Sequence, residues 1–167
     1  RIKMKTKEIY LAGGCFWGVE EFFSQIDGVL QTYVGYADGK QKNTTYNDLK
    51  KTDHSETVYI QYDADKLTLE KLLDYFFLII DPTSVNRQGN DIGRQYRTAI
   101  YYTDERDLDI IQKRVQAEQL KHNKPIVTEV KPINNFCLAE EYHQKYLKKN
   151  PGGYCHVDIS LLDKIKS

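Results

Sequence analysis

Ile9-Tyr10-Leu11-Ala12-Gly13-Gly14-Cys15-Phe16-Trp17-Gly18 is the stretch from which the rest of the chain can be read. The apolar run Ile9 to Ala12 fits a buried strand, and Val19, Phe22 and Phe23 beyond the last glycine recur at helical spacing. Only glycine adopts positive φ without steric cost, so Gly13-Gly14 predicts a tight strand-to-helix turn. A cysteine placed there sits at a helix N-terminus, where unpaired N–H groups and aligned peptide dipoles favour a thiolate. A lowered thiol pKa is what separates a nucleophile from packing material. A small, inert, buried thiol fits the same pattern, so both readings of Cys15 stay open on this stretch alone. The glycine pair and the two aromatics weigh toward reactivity.

Working outward, Glu8 to Ala12 is the first strand and Cys15 to Gln25 the first helix, closed by the turn signal Asp27-Gly28. Val29 to Tyr36 is β-rich, and His54 to Tyr62 alternates, with Glu56, Val58 and Ile60 on one side. Between them lie a polar loop, 37 to 45, and a short helical piece at 46 to 49. Thr68 caps a helix carrying Leu72, Leu73, Phe76, Phe77 and Ile80, which Asp81-Pro82 ends because the ring breaks the hydrogen-bond ladder. Thr83 to Gln95 is a long polar loop, uncommon unless functional. Then follow a strand over 97–102, a charged helix over 104–122, a strand over 126–133 and a helix over 139–148. This β-α-β-β-α-β-α-β order predicts an α/β (α+β) two-layer sandwich with a split β-α-β, ferredoxin-like core and a mixed sheet.

Composition excludes several classes of function. Lysine plus arginine equal aspartate plus glutamate at 24 each, so no net field favours nucleic acid or an anionic membrane. No stretch approaches the ~20 apolar residues that span a bilayer. The opening residues lack the apolar run of a secretory leader, which makes a cytoplasmic location the expectation. A single domain over 1–167 is expected from the length, with Met4 as the native start and Arg1-Ile2-Lys3 extraneous. Three cysteines, an odd number without Cys-x-x-Cys or clustered Cys/His spacing, argue against a disulfide framework and a structural zinc site.

Glu56 is the first candidate partner for Cys15. A carboxylate turned toward the apolar side of its strand tends to keep its proton, and a protonated acid near neutral pH is a general acid; a water-facing edge glutamate would do neither. Tyr46 and Tyr96, among 13 tyrosines, supply phenol donors suited to a polarised oxygen, with Asp91 as an acceptor that orients a backbone N–H. With so many tyrosines, any single one is more often an ordinary core or surface aromatic. Phe16 and Trp17 offer aromatic faces for an S-methyl group, or core packing. Cys155, in Gly152-Gly153-Tyr154-Cys155, is either a second redox thiol or a buried free one.

Five blocks together resemble the peptide methionine sulfoxide reductase A family. They are Gly-Cys-Phe-Trp-Gly at 14–18, Asn-Thr-Thr-Tyr at 43–46, His-Ser-Glu-Thr-Val at 54–58, Asp-Ile-Gly-Arg-Gln-Tyr-Arg at 91–97 and Phe-Cys-Leu-Ala-Glu-Glu-Tyr-His-Gln at 136–144. The segment Asn150 to Cys155 also resembles the family's C-terminal recycling segment. The resemblance implies Cys15 as nucleophile, Glu56 as proton donor, and Tyr46, Tyr96 and Asp91 as substrate contacts alongside Phe16 and Trp17. It implies reduction of methionine S-sulfoxide, free or in proteins, through a Cys15 sulfenic acid, then a Cys15–Cys155 disulfide that thioredoxin reduces, with no metal or organic cofactor. It further implies a long irregular C-terminal segment. Cys137 stands where the family carries tyrosine and is expected to be inert, leaving a two-thiol relay. Two rivals use the same residues: a cysteine hydrolase with His54 as base, and a thiol peroxidase or redox-sensing module.

Overall fold

The structure is a computed structural model describing residues 5–166; the expected start at Met4 lies outside them. In chain order the elements are β1 (Thr6–Ala12), α1 (Phe16–Ser24), β2 (Val29–Ala37), α2 (Leu49–Thr52), β3 (Ser55–Asp63), α3 (Leu69–Ile79), β4 (Arg87–Gln88), β5 (Asp91–Ile92), β6 (Ala99–Tyr102), α4 (Leu108–Gln119), β7 (Glu129–Pro132), β8 (Phe136–Leu138), α5 (Tyr146–Lys149) and α6 (Leu161–Lys166). Six strands form one sheet in the order β7-β6-β1-β3-β2-β8, and β4-β5 is a separate hairpin. Each pair in the large sheet is antiparallel except β6–β7. β3 lies between β1 and β2, and β1 between β3 and β6, so α1 and α3 each cross over a split β-α-β unit. The mixed sheet and ferredoxin-like core follow the expected order.

The helices cover one face of this sheet. Val19, Phe22 and Phe23 of α1 and Leu72, Leu73 and Phe76 of α3 are buried with Ile9, Leu11, Val34, Val58 and Ile60 in one core. Burying each such side chain fully contributes ~1.5–3 kcal/mol, enough to hold two helices with no exceptional propensity. Thr68 caps α3 as expected, its Oγ1 accepting from the Lys71 N–H at 3.2 Å. The opposite face carries a smaller cluster, Ala12, Ala37, Ala99 and Tyr101, against which Tyr10 and Phe136 pack.

The segment over 139–148 departs from the expected helix. β8 ends at Leu138, and in place of a helix over 139–148 there are a single 3-10 turn at Glu141–His143, a left-handed Lys145 (φ 53°) and the one-turn α5. Tertiary hydrogen bonds override helical propensity here. The Gln144 amide pairs with the β2 backbone like a strand residue, accepting from the Val34 N–H at 2.9 Å and donating to the Val34 carbonyl at 2.8 Å. Lys145 donates from its backbone N–H and its ammonium to the buried Glu20 carboxylate of α1, at 2.8 Å each. The long polar loop likewise contains the β4-β5 hairpin, held by the buried Gln88, whose amide accepts from the Asp81 N–H and donates to the Asp81 carbonyl. No helix among the described residues is long and apolar enough to cross a membrane.

Candidate active site

The glycine turn delivers Cys15 to the start of α1. Gly14 adopts φ +84°, the conformation for which glycine was expected, and Cys15 is the residue that begins the helix. A Cβ on Gly13 would stand 2.6 Å from Ile80, so that glycine serves close packing instead. Cys15 itself is 8% exposed.

Glu56, 2% exposed, meets the same helix start. β3 places it opposite Tyr36 of β2, and its Oε1 accepts the Phe16 N–H at 3.1 Å. Burial drives its carboxyl up to about 8, with the Asp91 charge adding to the rise and the Phe16 N–H opposing it. Glu56 is therefore mostly protonated at neutral pH. The Cys15 thiol is also raised: burial comes first, the Glu56 charge second, and the Trp17 N–H lowers it without compensating. The helix-stabilised thiolate expected from position alone is thus overturned, because loss of water outweighs the helix terminus. The pair rests as a neutral thiol beside a neutral acid.

Around this pair stand the other predicted residues. Tyr46 opens the 3-10 turn before α2 and Tyr96 closes the one before β6. Burial raises both phenols first, the charge of Glu56 next, and each phenol also feels the other. Asp91, on β5, adds its charge to Cys15, Glu56 and both tyrosines, and its Oδ2 is buried without a partner. Its charge also raises the Tyr154 phenol, after burial. Phe16 is buried, whereas Trp17 is half-buried, stacked on Tyr146 at 3.8 Å between ring centroids. Cys155 approaches α1 from the tail: its Sγ lies 2.7 Å from where a Gly18 Cβ would be, one turn beyond Cys15. Cys137 lies apart on β8, its thiol directed at the Thr44 carbonyl at 3.9 Å.

Two residues of this constellation were not singled out from the sequence. His143, 4% exposed, accepts from Trp17 Nε1 at 3.2 Å and lies 5.0 Å from the Tyr46 ring, with its Nε2 buried and unpartnered. Burial lowers its pKa, keeping it neutral. Glu140 braces Tyr46: its oxygens accept from the Tyr36 phenol at 2.7 Å and the Tyr46 N–H at 3.1 Å. Periodicity reveals neither role, because both depend on breaking the helix it predicts; the one signal marking them is their place in the family-like block at 136–144.

The family model described as peptide methionine sulfoxide reductase matches residues 7–166. The chain belongs to the peptide methionine sulfoxide reductase family. A family relative, peptide methionine sulfoxide reductase MsrA of Clostridium botulinum (strain Hall), is 57% identical over 155 residues, covering 92% of this chain and 99% of the relative. Among solved structures, Mxr1 from Saccharomyces cerevisiae in reduced form matches with TM-score 0.86 and 40% identity over 90% of this chain and 89% of that one. Mxr1 in complex with Trx2 matches with TM-score 0.62 and 29% identity over 87% and 89%.

Proposed function

We propose that this chain reduces methionine S-sulfoxide, free or in proteins, to methionine, with Cys15 as nucleophile and Glu56 as general acid. The observation that carries the reading is the hydrogen bond from the Phe16 N–H to Glu56, which ties a buried acid to the residue next to Cys15. Cys15 sulfur attacks the sulfoxide sulfur while Glu56 protonates the oxygen. The proton that Cys15 gives up replaces the one Glu56 donates, so the acid is regenerated. The substrate's S–O bond breaks as the hydroxyl passes to the Cys15 sulfur, so that methionine leaves reduced and Cys15 is left oxidised as a sulfenic acid.

Tyr46 and Tyr96 donate to the sulfoxide oxygen, Asp91 shapes the site's charge, and Phe16 and Trp17 hold the S-methyl group. A site built to bond this oxygen rejects the reduced product, which leaves the donors unpaired. Cys155 then condenses with Cys15 to a disulfide. The reductant is thioredoxin, a reading supported by the related Mxr1 structure with Trx2. The chain acts as one domain in the cytoplasm.

The test compares reductant consumption with methionine S-sulfoxide and with peroxide. Consumption matched by methionine release, and abolished in Cys15→Ser, is expected. Turnover with peroxide alone supports a thiol peroxidase, and turnover without reductant supports a hydrolase.

A further inference from the structure

The glycines of the first turn make room for more than their own backbone. A Cβ on Gly14 would stand 2.8 Å from His156 Nε2, and one on Gly18 would stand 2.7 Å from Cys155 Sγ and 3.0 Å from Val157 Cγ2. The tail therefore docks in alternation, with Cys155 and Val157 on the helix and His156 on the turn. Across the slot, His156 Cβ is 3.6 Å from where a Gly89 Cβ would be, and the side chain of Gln88 lies beside Gly14. His156 Nε2 is 3.0 Å from the Gly13 carbonyl oxygen, so that nitrogen carries the proton and donates, and Nδ1 is buried without a partner. The Cys155 thiol donates to the Val157 carbonyl at 3.2 Å, which parks it on α1 one residue from this anchor.

We infer that His156 is a positioning residue for disulfide formation: its imidazole, seated between Gly14 and Gly89 and bonded to the Gly13 carbonyl, holds Cys155 against the helix that carries Cys15. This rests on the reading of Cys155 as the second thiol. In the step it serves, the Cys155 sulfur attacks the sulfenic sulfur of Cys15. The S–S bond forms as the S–O bond breaks, and the departing hydroxide takes the Cys155 proton as water. Cys155 is oxidised and Cys15 reduced, with no other reactant. Attack along the S–O axis needs a fixed approach, and a tail tethered by its backbone alone loses that effective concentration. The anchoring contact belongs to the side chain following the cysteine, so cysteine spacing does not reveal it.

Single-turnover rapid quench without reductant separates the steps, with methionine release reporting the first and loss of free thiols the second. For His156→Ala, methionine release within about twofold of the parent and thiol loss slowed about tenfold are expected, the scale of one lost hydrogen bond with its packing. His156→Gln, whose amide can still reach the Gly13 carbonyl, is expected to recover most of the second rate. Alkylation of Cys155 by N-ethylmaleimide should accelerate in His156→Ala and not in His156→Gln. Thiol loss at the parent rate in His156→Ala, or equal slowing of both steps, overturns the assignment. Absence of a Cys15–Cys155 disulfide in the parent overturns instead the reading on which it rests.

Discussion

Glu56→Gln is the substitution whose consequences the structure specifies most fully. The amide keeps a carbonyl oxygen for the Phe16 N–H at nearly the same position, so the turn keeps its contact, but it cannot give up a proton. General acids contribute about 10²–10⁴-fold, so methionine release in a single turnover is expected to slow by at least about a hundredfold. The parent enzyme should lose rate as pH rises through about 8, where Glu56 ionises, and the variant's residual rate should lack that limb.

Stability falls over the same rise in pH, beginning lower. The folded carboxyl holds its proton to about 8 whereas the unfolded one releases it near 4.5, so rising pH favours the unfolded chain throughout that interval. At ~1.4 kcal/mol per tenfold in proton affinity, the parent loses roughly 2–3 kcal/mol relative to the variant between about pH 6 and pH 9. Urea unfolding of both proteins across that range measures it. A rate within threefold of the parent, or a stability difference that is flat with pH, would refute the protonated-acid argument.

Other substitutions separate the remaining roles. Cys155→Ser should release about one methionine per chain with thioredoxin as reductant and regain turnover with a small dithiol, as chromatographic product counts will show. Tyr96→Phe and Tyr46→Phe should each lower kcat/KM about tenfold, the worth of one neutral hydrogen bond, with no change in the alkaline limb assigned to Glu56. Because both phenols donate to the same oxygen, their losses are coupled, and the double variant should lose less than the product of the single losses, which a double-mutant cycle tests.

The parts of this molecule that obey local rules were legible from sequence. Gly14 needs positive φ and Thr68 caps α3, so turn and helix could each be placed in advance, whereas the strand pattern of Glu56 left burial open until its block was matched to the family's. The segment over 139–148 was not, because Gln144 and Lys145 spend their side chains on β2 and on Glu20, and no periodicity records such long-range bonds. The same is true of His143 and Glu140, whose roles exist only once that segment is folded back over α1. The thiol's charge state was misjudged for a related reason: a helix terminus is visible in sequence, but the depth at which β3 buries it is not.

The most direct test of the account is the stoichiometry of one turnover. Fully reduced protein mixed with excess methionine S-sulfoxide and no reductant should release one methionine per chain, with peptide mapping by mass spectrometry joining Cys15 to Cys155 and finding Cys137 free. Methionine release that survives Cys15→Ser, or a bond that joins Cys137 instead, would contradict it.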